Sequence, residues 1–415
     1  MCIEIICMRC AGMSKYVVDN NKPEIKMHTL PSGKQHLNAL LLIALAGLSV
    51  ATQAAENNNL RQTPVGFFGG DMAAGFDNTG FFVSPYLTSL DIYKVADNNG
   101  NKISFPARTI PMPTGVVANG LVPSGTYSAN YASVPIDLNQ KQQQINILLG
   151  YLSEQKYADG HIAAAWNLPM VSQTREFYFA PQTLSSITPA FPVNTPALQQ
   201  AIVNGVANVV TTKVQAAGAN YMSNQNKEVV GFGDSELSLL WLKEQDRLKI
   251  AAGASLYVPT GAYQVTRGPN PGFGNFYTLR PGVALTYSLN PNHVEEVWDA
   301  GITVAGRLSF GMNTVNKNTN YRTGNFVYGE LGIVKVQGNW GIGTNAFITQ
   351  QVTDDSNASG TVANSRYLNH GLGPFVSFKL PSQNAGFNLQ LNHNFDAKNS
   401  IMVRSLQLRF IKALQ

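Results

Sequence analysis

The sequence predicts an all-β protein, a transmembrane antiparallel β-barrel of about twelve strands with one helical insertion in an extracellular loop. Between residues 234 and 410, about nine segments alternate apolar and polar side chains. Such alternation is typical of a barrel wall, where every second side chain faces lipid and the others face a lumen. Charged residues make up 13% of the chain, against about 25% in soluble domains.

The alternation is clear near the C-terminus. Phe387, Leu389 and Leu391 fall on one face of their segment, and Asn388 and Gln390 fall on the other. A soluble β-sandwich or a closed barrel with a dry interior would also alternate, but its second face would carry many charges. Here the second face carries Gly, Thr, Ser, Asn and Gln with few charges, which favours the membrane barrel.

The strand count follows from where alternating segments occur. Nine after residue 234 and three before residue 181 make twelve, an even number as in bacterial barrels. Fourteen is the alternative, because the proline-rich stretch 105–135 has room for a hairpin. We expect the barrel to occupy residues 80–411, after a tail or small plug at 55–79.

One segment has helical rather than strand periodicity. Apolar residues recur at helical spacing over 195–217, with Thr195 as the expected N-cap and Pro196 as the first helical residue. Long insertions in barrels lie in extracellular loops. The apolar face of this helix would pack on the barrel mouth or bind an apolar ligand.

An export signal precedes the barrel. A basic start at Lys34, about twelve apolar residues and the small residues up to Ala54 have the order of a secretory signal peptide. We expect cleavage near Ala54, within a signal segment at 1–54, and interpret residues 1–26 as a spurious upstream extension because a good signal would begin at Met27. Export and alternation together predict the outer membrane.

Composition argues against several other classes. The first 54 residues carry five Lys/Arg and three Asp/Glu, which leaves 24 minus 21, or +3, for the remainder. No basic cluster stands out, so nucleic-acid binding is unsupported. The three cysteines lie within the first ten residues, so the body of the chain has no disulfide or thiolate site. No metal or other cofactor is expected, since the six histidines are scattered.

The faces of the strands give candidate functional residues. A charge at the bilayer midplane costs about 2–4 kcal/mol, so polar side chains opposite the apolar face should point inward. They would either pair to stiffen the barrel or contact substrate. Our candidates for the lumen lining are Lys249, Tyr257, Arg280, Arg307, Glu330, Asn388 and Gln390. Trp241, Trp298 and Trp340 fall beside the connections assigned to the periplasmic side, as in an aromatic girdle.

Five short motifs resemble a known family. They are Gly231-Phe232-Gly233-Asp234-Ser235-Glu236-Leu237, Val258-Pro259-Thr260-Gly261-Ala262-Tyr263, Tyr321-Arg322-Thr323-Gly324, Gln351-Val352-Thr353-Asp354-Asp355 and Gly371-Leu372-Gly373-Pro374. Their order is similar to that of the meta-pathway phenol-degradation protein family. The resemblance implies an outer-membrane barrel for diffusion of small hydrophobic, including aromatic, compounds. One departure is that Phe410, where such barrels usually end, is followed by five more residues.

Enzymatic interpretations find little support. Gly233-Asp234-Ser235 is similar to the nucleophile block of some esterases, but the downstream Asp-x-x-His that would supply a base is missing. We therefore expect Asp234 to be a turn residue and the protein not to be an enzyme. A calcium site at residues 353–357 is an alternative to a solvated turn.

We expect the protein to be a monomer. Its expected partners are outer-membrane lipids, the barrel-assembly machinery and a small hydrophobic substrate. A non-transporting structural or surface-binding barrel remains the alternative function.

Overall fold

The computed structural model describes residues 55–56, 60–61, 79–113, 122–123, 125–265, 268–289 and 301–414. The predicted signal peptide, most of the predicted tail and Trp298 lie outside these residues. The strands are β1 (Gly80–Val95), β2 (Ser104–Phe105), β3 (Arg108–Pro111), β4 (Ser128–Tyr131), β5 (Val134–Tyr157), β6 (Gly160–Phe179), β7 (Leu184–Thr188), β8 (Lys227–Phe232), β9 (Ser235–Gln245), β10 (Leu248–Val258), β11 (Thr278–Ser288), β12 (Ile302–Asn313), β13 (Phe326–Gln337), β14 (Trp340–Gln351), β15 (Asp355–Asn357), β16 (Gly360–Val362), β17 (Leu368–Leu380), β18 (Ala385–Lys398) and β19 (Ile401–Leu414).

Twelve of these strands close into an antiparallel barrel. The order around the ring is β1, β5, β6, β9, β10, β11, β12, β13, β14, β17, β18 and β19, and β19 pairs back onto β1. Two short strands, β2 and β8, extend this sheet beside β5 and β6. The predicted twelve-stranded barrel is confirmed, with nine wall strands after residue 234 and three before residue 181.

The described residues of the stretch 105–135 add no further strand to the barrel wall, apart from the start of β5 at Val134. They contribute β3 and β4, which form a separate three-stranded sheet with β7. The fourteen-stranded alternative is therefore wrong. Proline has no N–H to give to a central ladder, so a proline-rich stretch leaves the wall.

The two faces of the wall match the predicted alternation. Leu331 on β13 is 68% exposed and Ile342 on β14 is 66% exposed, both on the outer face. On the inner face Asn388 and Gln390 are buried. A continuous apolar surface of this extent marks contact with a membrane rather than with water.

Aromatic rings on the inner face lie over glycines of the neighbouring strand. A Cβ added to Gly343 would meet the Phe375 ring at 2.4 Å, and one added to Gly371 would meet the Phe347 ring at 2.1 Å. These glycines leave room for the aromatic rings that fill the barrel interior. The contact of each ring with a glycine on the next strand also helps to fix the register of the two strands.

The two ends of the barrel differ. The end that carries two-residue turns after β5, β9 and β13 is called the turn end. Both Ala158 and Asp159 in the first of these turns have positive φ, as a type I′ hairpin requires. The opposite end, called the loop end, carries the long connections after β1, β6, β10, β12 and β14. One long connection, residues 289–301, is at the turn end.

The helical insertion lies in the long connection between β6 and β9. Helix α1 spans Ala197–Gln225, so the predicted bounds of 195–217 are wrong at both ends. Pro196 occupies the N-cap position, while the Thr195 hydroxyl donates to the Pro192 carbonyl at 2.7 Å instead of capping the helix. The helix continues past the apolar pattern because Tyr221 and Met222 pack against aromatic residues of β6.

The apolar face of α1 packs on protein. Val203, Val206, Val210 and Val214 are buried against residues of β3 and β4. Val209, which shares the apolar spacing, is 47% exposed. The helix and its sheet form a small separate core at the loop end, which agrees with the packing alternative. No helix among the described residues is both long and apolar enough to cross a membrane.

Candidate functional site: the barrel lumen

A small apolar cavity occupies the turn end of the lumen. Its volume is about 120 Å³. The walls come from small and apolar side chains of β1, β5, β6, β9, β10 and β11, among them Phe82, Leu148, Leu152, Ala163, Ala165, Leu240, Leu242, Ala251 and Ala284. We call it the lower cavity. Glu236, Arg280 and Arg307 also reach its wall, but the surface that the cavity exposes is mainly apolar, so an apolar solute entering it loses no hydrogen bonds.

A second cavity of about 230 Å³ occupies the loop end of the lumen. Amide side chains dominate its wall, including those of Gln140, Gln142, Gln144, Gln173, Asn369, Asn392, Asn394 and Gln407. We call it the upper cavity. Tyr86 and Asn167 line both cavities, so the two lie in series along the barrel axis.

Two ion pairs between strands lie near the junction of the cavities, because Glu236, Arg280 and Arg307 line the lower cavity and Tyr257, beside Arg280, lines the upper one. The Arg280 guanidinium forms an ion pair with Glu236 and donates to the Ser255 hydroxyl at 3.0 Å. It also lies 4.8 Å from the centre of the Tyr257 ring. On the next strand, β12, the Arg307 guanidinium lies 2.9 Å from a carboxylate oxygen of Glu330 on β13.

Glu330 is the centre of a wider polar network. Its carboxylate accepts hydrogen bonds from the Tyr328 hydroxyl at 2.8 Å and from the Asn345 amide at 3.2 Å. The Gln390 amide donates in turn to Asn345 at 3.0 Å. Because the Arg307–Glu330, Asn345–Glu330 and Gln390–Asn345 contacts each join different strands, this network stiffens the inner wall. We call the two ion pairs and the side chains bonded to them the collar.

The structure places the predicted lumen residues as follows. Tyr257, Arg280, Glu330, Asn388 and Gln390 are buried on the inner face, and the Arg307 side chain is 8% exposed. Lys249 differs, because it lies near the turn end of β10 with its side chain 42% exposed and paired to Glu244 at 3.2 Å.

Two of the predicted girdle tryptophans lie at the turn end on the outer face. Trp340 is 54% exposed and packs against the Phe378 ring at 4.6 Å. The Trp241 indole N–H donates to the Tyr157 carbonyl at 2.9 Å. An indole placed in this way leaves its apolar ring on the outer face while its N–H keeps a hydrogen-bond partner.

An anchor from the N-terminal segment closes part of the loop end. The Arg61 guanidinium contacts the Asp234 carboxylate at 2.7 Å, with both side chains buried. The central carbon of the Arg61 guanidinium lies 3.8 Å from the centre of the Phe276 ring. The other Asp234 contacts are backbone N–H groups of Gly261 and Phe273, both at 2.9 Å. Asp234 thus holds the β10–β11 loop against the start of β9.

This arrangement accounts for two of the sequence motifs. A Cβ on Gly261 would lie 2.8 Å from the Asp234 carboxylate, so the glycine permits the close approach. Ser235, at the position of an esterase nucleophile, accepts a hydrogen bond from the Thr260 hydroxyl at 3.0 Å. The geometry gives both motifs a structural role in loop packing.

A second buried acid organises the other loops. The Asp355 carboxylate accepts from the Gly324 N–H at 2.7 Å and the Gln351 amide at 2.6 Å through one oxygen. Its other oxygen accepts from the Tyr321 hydroxyl at 2.5 Å and the Ala55 N–H at 2.9 Å. Burial raises the pKa of Asp355, and these hydrogen bonds oppose the rise.

Glu56 lies beside this acid centre. Burial raises the pKa of Glu56, while hydrogen bonds from neighbouring side chains oppose the rise. The Asn316 amide donates to its carboxylate at 2.6 Å. Burial, together with the Glu56 carboxylate, also raises the pKa of Tyr263 to about 12.

The two carboxylates of the stretch 353–357 do not converge on one point, because the Asp354 carboxylate accepts a hydrogen bond from Arg366 at 2.8 Å. No group of three potential metal ligands occurs in the described part of the chain.

Sequence reasoning missed several residues of the site. Glu236 could have been predicted, because it belongs to the motif 231–237 and lies on the strand face opposite Leu237 and Leu239. Tyr328 shares the face of Glu330 at a spacing of two and could have been found in the same way. Arg61 carried no signal, since its partner Asp234 is 173 residues away.

Solved structures of other proteins resemble this chain, and one of them shares its fold. The crystal structure of an outer membrane channel from Pseudomonas putida F1 aligns with a TM-score of 0.54 at 11% identity, covering 85% of this chain and 100% of that one. The transport unit of the autotransporter AIDA-I from Escherichia coli gives 0.43 at 8% identity, covering 93% and 100%. The Ralstonia pickettii toluene transporter TbuX gives 0.35 at 10% identity, covering 90% and 100%.

Sequence comparisons give the family. No curated protein sequence matches this chain. The model of a family described by the MetA pathway of phenol degradation matches residues 188–410, more than half of the chain. The match spans α1 and all nine wall strands after residue 234. The chain therefore belongs to the family of the MetA pathway of phenol degradation.

Proposed function

We propose that this protein is a monomeric outer-membrane channel through which small hydrophobic, including aromatic, compounds diffuse into the periplasm. The observation that carries the proposal is the pair of cavities in series, with an amide-lined upper cavity leading to an apolar lower cavity. The family description and the fold shared with an outer membrane channel support it.

The lower cavity has the size of a single ring. An apolar cavity of roughly 150 Å³ accepts benzene in an engineered protein, and the lower cavity measures about 120 Å³. Small movements of flexible apolar side chains such as Leu148 and Leu242 would admit one aromatic ring. Larger solutes would need the collar to open.

The charges of the collar favour weakly polar solutes over ions. Glu236 and Glu330 are each compensated by an arginine, so the junction presents little net field to a passing solute. Amide groups in the upper cavity can exchange hydrogen bonds with a phenolic hydroxyl. Gln173 supports this idea, since it lines the upper cavity and its buried side-chain oxygen accepts no hydrogen bond in the described part of the chain.

The orientation follows from the two ends of the barrel. Short turns of such barrels face the periplasm and long loops face outside, so the upper cavity would open to the exterior. Trp241 and Trp340 would then lie at the periplasmic interface. The apolar outer face would contact outer-membrane lipids, after export by the predicted signal and insertion by the barrel-assembly machinery.

The test is a flux assay with matched solutes. Purified protein in liposomes should raise the permeation of phenol more than that of benzoate, which has a similar ring but a negative charge. Equal acceleration of both solutes, or of neither, would contradict the proposal. No acceleration together with no conductance would instead favour a non-transporting structural or surface-binding barrel.

One variant connects the flux to the lower cavity. Ala284 lines that cavity and is buried, so Ala284→Phe should fill it and reduce phenol flux severalfold. Ala252 on the adjacent strand β10 points outward, and Ala252→Phe adds the same ring on the lipid side as a control. Equal flux through both variants would show that solutes bypass the lower cavity.

A further inference from the structure

Among the described residues, the buried acid Asp355 has four hydrogen-bond donors and no side-chain cation. Three donors are neutral groups of Tyr321, Gly324 and Gln351. The fourth is the backbone nitrogen of Ala55. No Lys, Arg or His in the described residues forms an ion pair with this carboxylate. A fully buried carboxylate without an opposite charge is costly, so the identity of the fourth donor matters.

Ala55 is the residue that would follow the predicted signal cleavage. Signal removal is hydrolysis of the Ala54–Ala55 peptide bond, in which water supplies the hydroxyl that becomes the Ala54 carboxylate. The released nitrogen of Ala55 takes up protons and becomes an α-ammonium. Ala55 is fully buried, and its nitrogen lies 2.9 Å from the Asp355 carboxylate. Cleavage would therefore create a positive charge at the position where the carboxylate needs one.

We propose that removal of the signal peptide creates an α-ammonium at Ala55 that forms a buried ion pair with Asp355 and locks the loop end of the barrel. A charge-assisted hydrogen bond is about twice as strong as a neutral one. Before cleavage the same nitrogen is an uncharged amide, so the pair forms only in the processed protein.

The backbone at Ala55 supports this step independently. Its φ is +40°, in the left-handed region that disfavours residues with a Cβ. The angle φ exists only while a residue precedes Ala55 in the chain. Cleavage after Ala54 removes that residue, and the unfavourable torsion disappears with it.

The ion pair would connect segments that are distant in sequence. Tyr321 and Gly324 belong to the β12–β13 loop, and Asp355 begins β15 in the β14–β17 connection. Next to Ala55, the Glu56 N–H donates to the Thr323 hydroxyl at 3.1 Å. Ala55 also packs in one apolar cluster with Leu60, Phe326 and Tyr367. Fixing the new N-terminus would thus hold two long loops and the N-terminal segment together.

The first experiment measures the N-terminus of the wild-type protein. Intact mass should place the first residue of the membrane-extracted protein at Ala55. An amine-reactive reagent at mild pH should label this α-amine much more slowly in the folded barrel than after unfolding. A different first residue, or equal labelling in both states, would overturn the proposal.

The second experiment tests whether the amine and the acid act together. Inserting Gly-Ser between Ala54 and Ala55 moves the ammonium two residues upstream, and Asp355→Asn removes the negative charge. Each change should lower the midpoint of heat-induced loss of the folded gel mobility by several degrees. Because they break the same interaction, the combined variant should fall little further.

The matched control is Asp354→Asn, which changes an adjacent acid that pairs with the exposed Arg366 and should leave the midpoint nearly unchanged. Additive effects of the insertion and Asp355→Asn would show that they act independently and would overturn the ion pair. If Asp355→Asn does not fold, the labelling of the wild-type protein still decides the question.

Discussion

The Arg280 guanidinium lies 4.8 Å from the centre of the Tyr257 ring and forms an ion pair with Glu236 on a strand two places away. The ring on β10 lies between the partner strands and holds the guanidinium over its face. A cation fixed by both a carboxylate and an aromatic face has little freedom to turn toward a passing solute. The collar is therefore held in one arrangement.

Removing one collar carboxylate should change ion selectivity. Glu236→Gln leaves Arg280 without its carboxylate at the junction of the cavities. We expect the residual ion conductance to shift toward anions, measured as a change in reversal potential across a salt gradient in planar bilayers. Arg280→Gln should shift it toward cations, and the double variant should return near the wild type. The same shift in both single variants would contradict this role.

Glycines under inner aromatic rings should not accept a methyl group. Gly343→Ala places a Cβ 2.4 Å from both the Ile333 carbonyl and the Phe375 ring, so backbone and ring must move. We expect a loss of roughly 1–3 kcal/mol in stability, measured by urea unfolding. Gly329→Ala is the control, because its Cβ would meet only the Ile348 methyl at 3.2 Å. Similar losses in both variants would argue against this packing.

Loss of the Arg61 anchor should loosen the loop end. Arg61→Ala leaves the buried Asp234 carboxylate without a cation, and breaking such a pair costs about 3–5 kcal/mol. Since Arg61 also lines the upper cavity, we expect a larger single-channel conductance along with lower thermal stability. Adding Asp234→Asn should recover part of the stability. An unchanged conductance would show that the anchor does not narrow the channel.

The partly buried acid Glu56 should make the stability of the protein depend on pH. Burial raises the pKa of Glu56, so the folded protein holds that proton more tightly than the unfolded chain. The resulting stabilisation is present below the ordinary pKa of about 4.3 and is lost as the pH rises through the folded value.

The Glu56→Gln variant isolates this contribution, because it keeps the shape of the side chain and removes its titration. The stability of the wild type relative to the variant should fall as the pH rises from about 4 to about 7. Thermal midpoints of both proteins across this range check it. A relative stability that rises with pH would contradict the assigned direction.

The wall strands could be predicted because their two faces meet different environments. The outer face must be apolar in lipid, so Leu389 and Leu391 alternate visibly with Asn388 and Gln390. The prediction weakened where a strand leaves the membrane. Strand β5 begins at Val134, but residues 139–144 within it are all polar, so that part of the strand shows no alternation of apolar and polar side chains.

The sequence by itself determined the fold class, the strand number and the inward direction of most candidate residues, since all three follow from a local period of two. Tertiary structure alone decided which of these residues meet. Glu236 and Arg280 are 44 residues apart, and Ala55 and Asp355 are 300 apart. Such pairs depend on strand register and on loop paths around the whole ring, which no local pattern records.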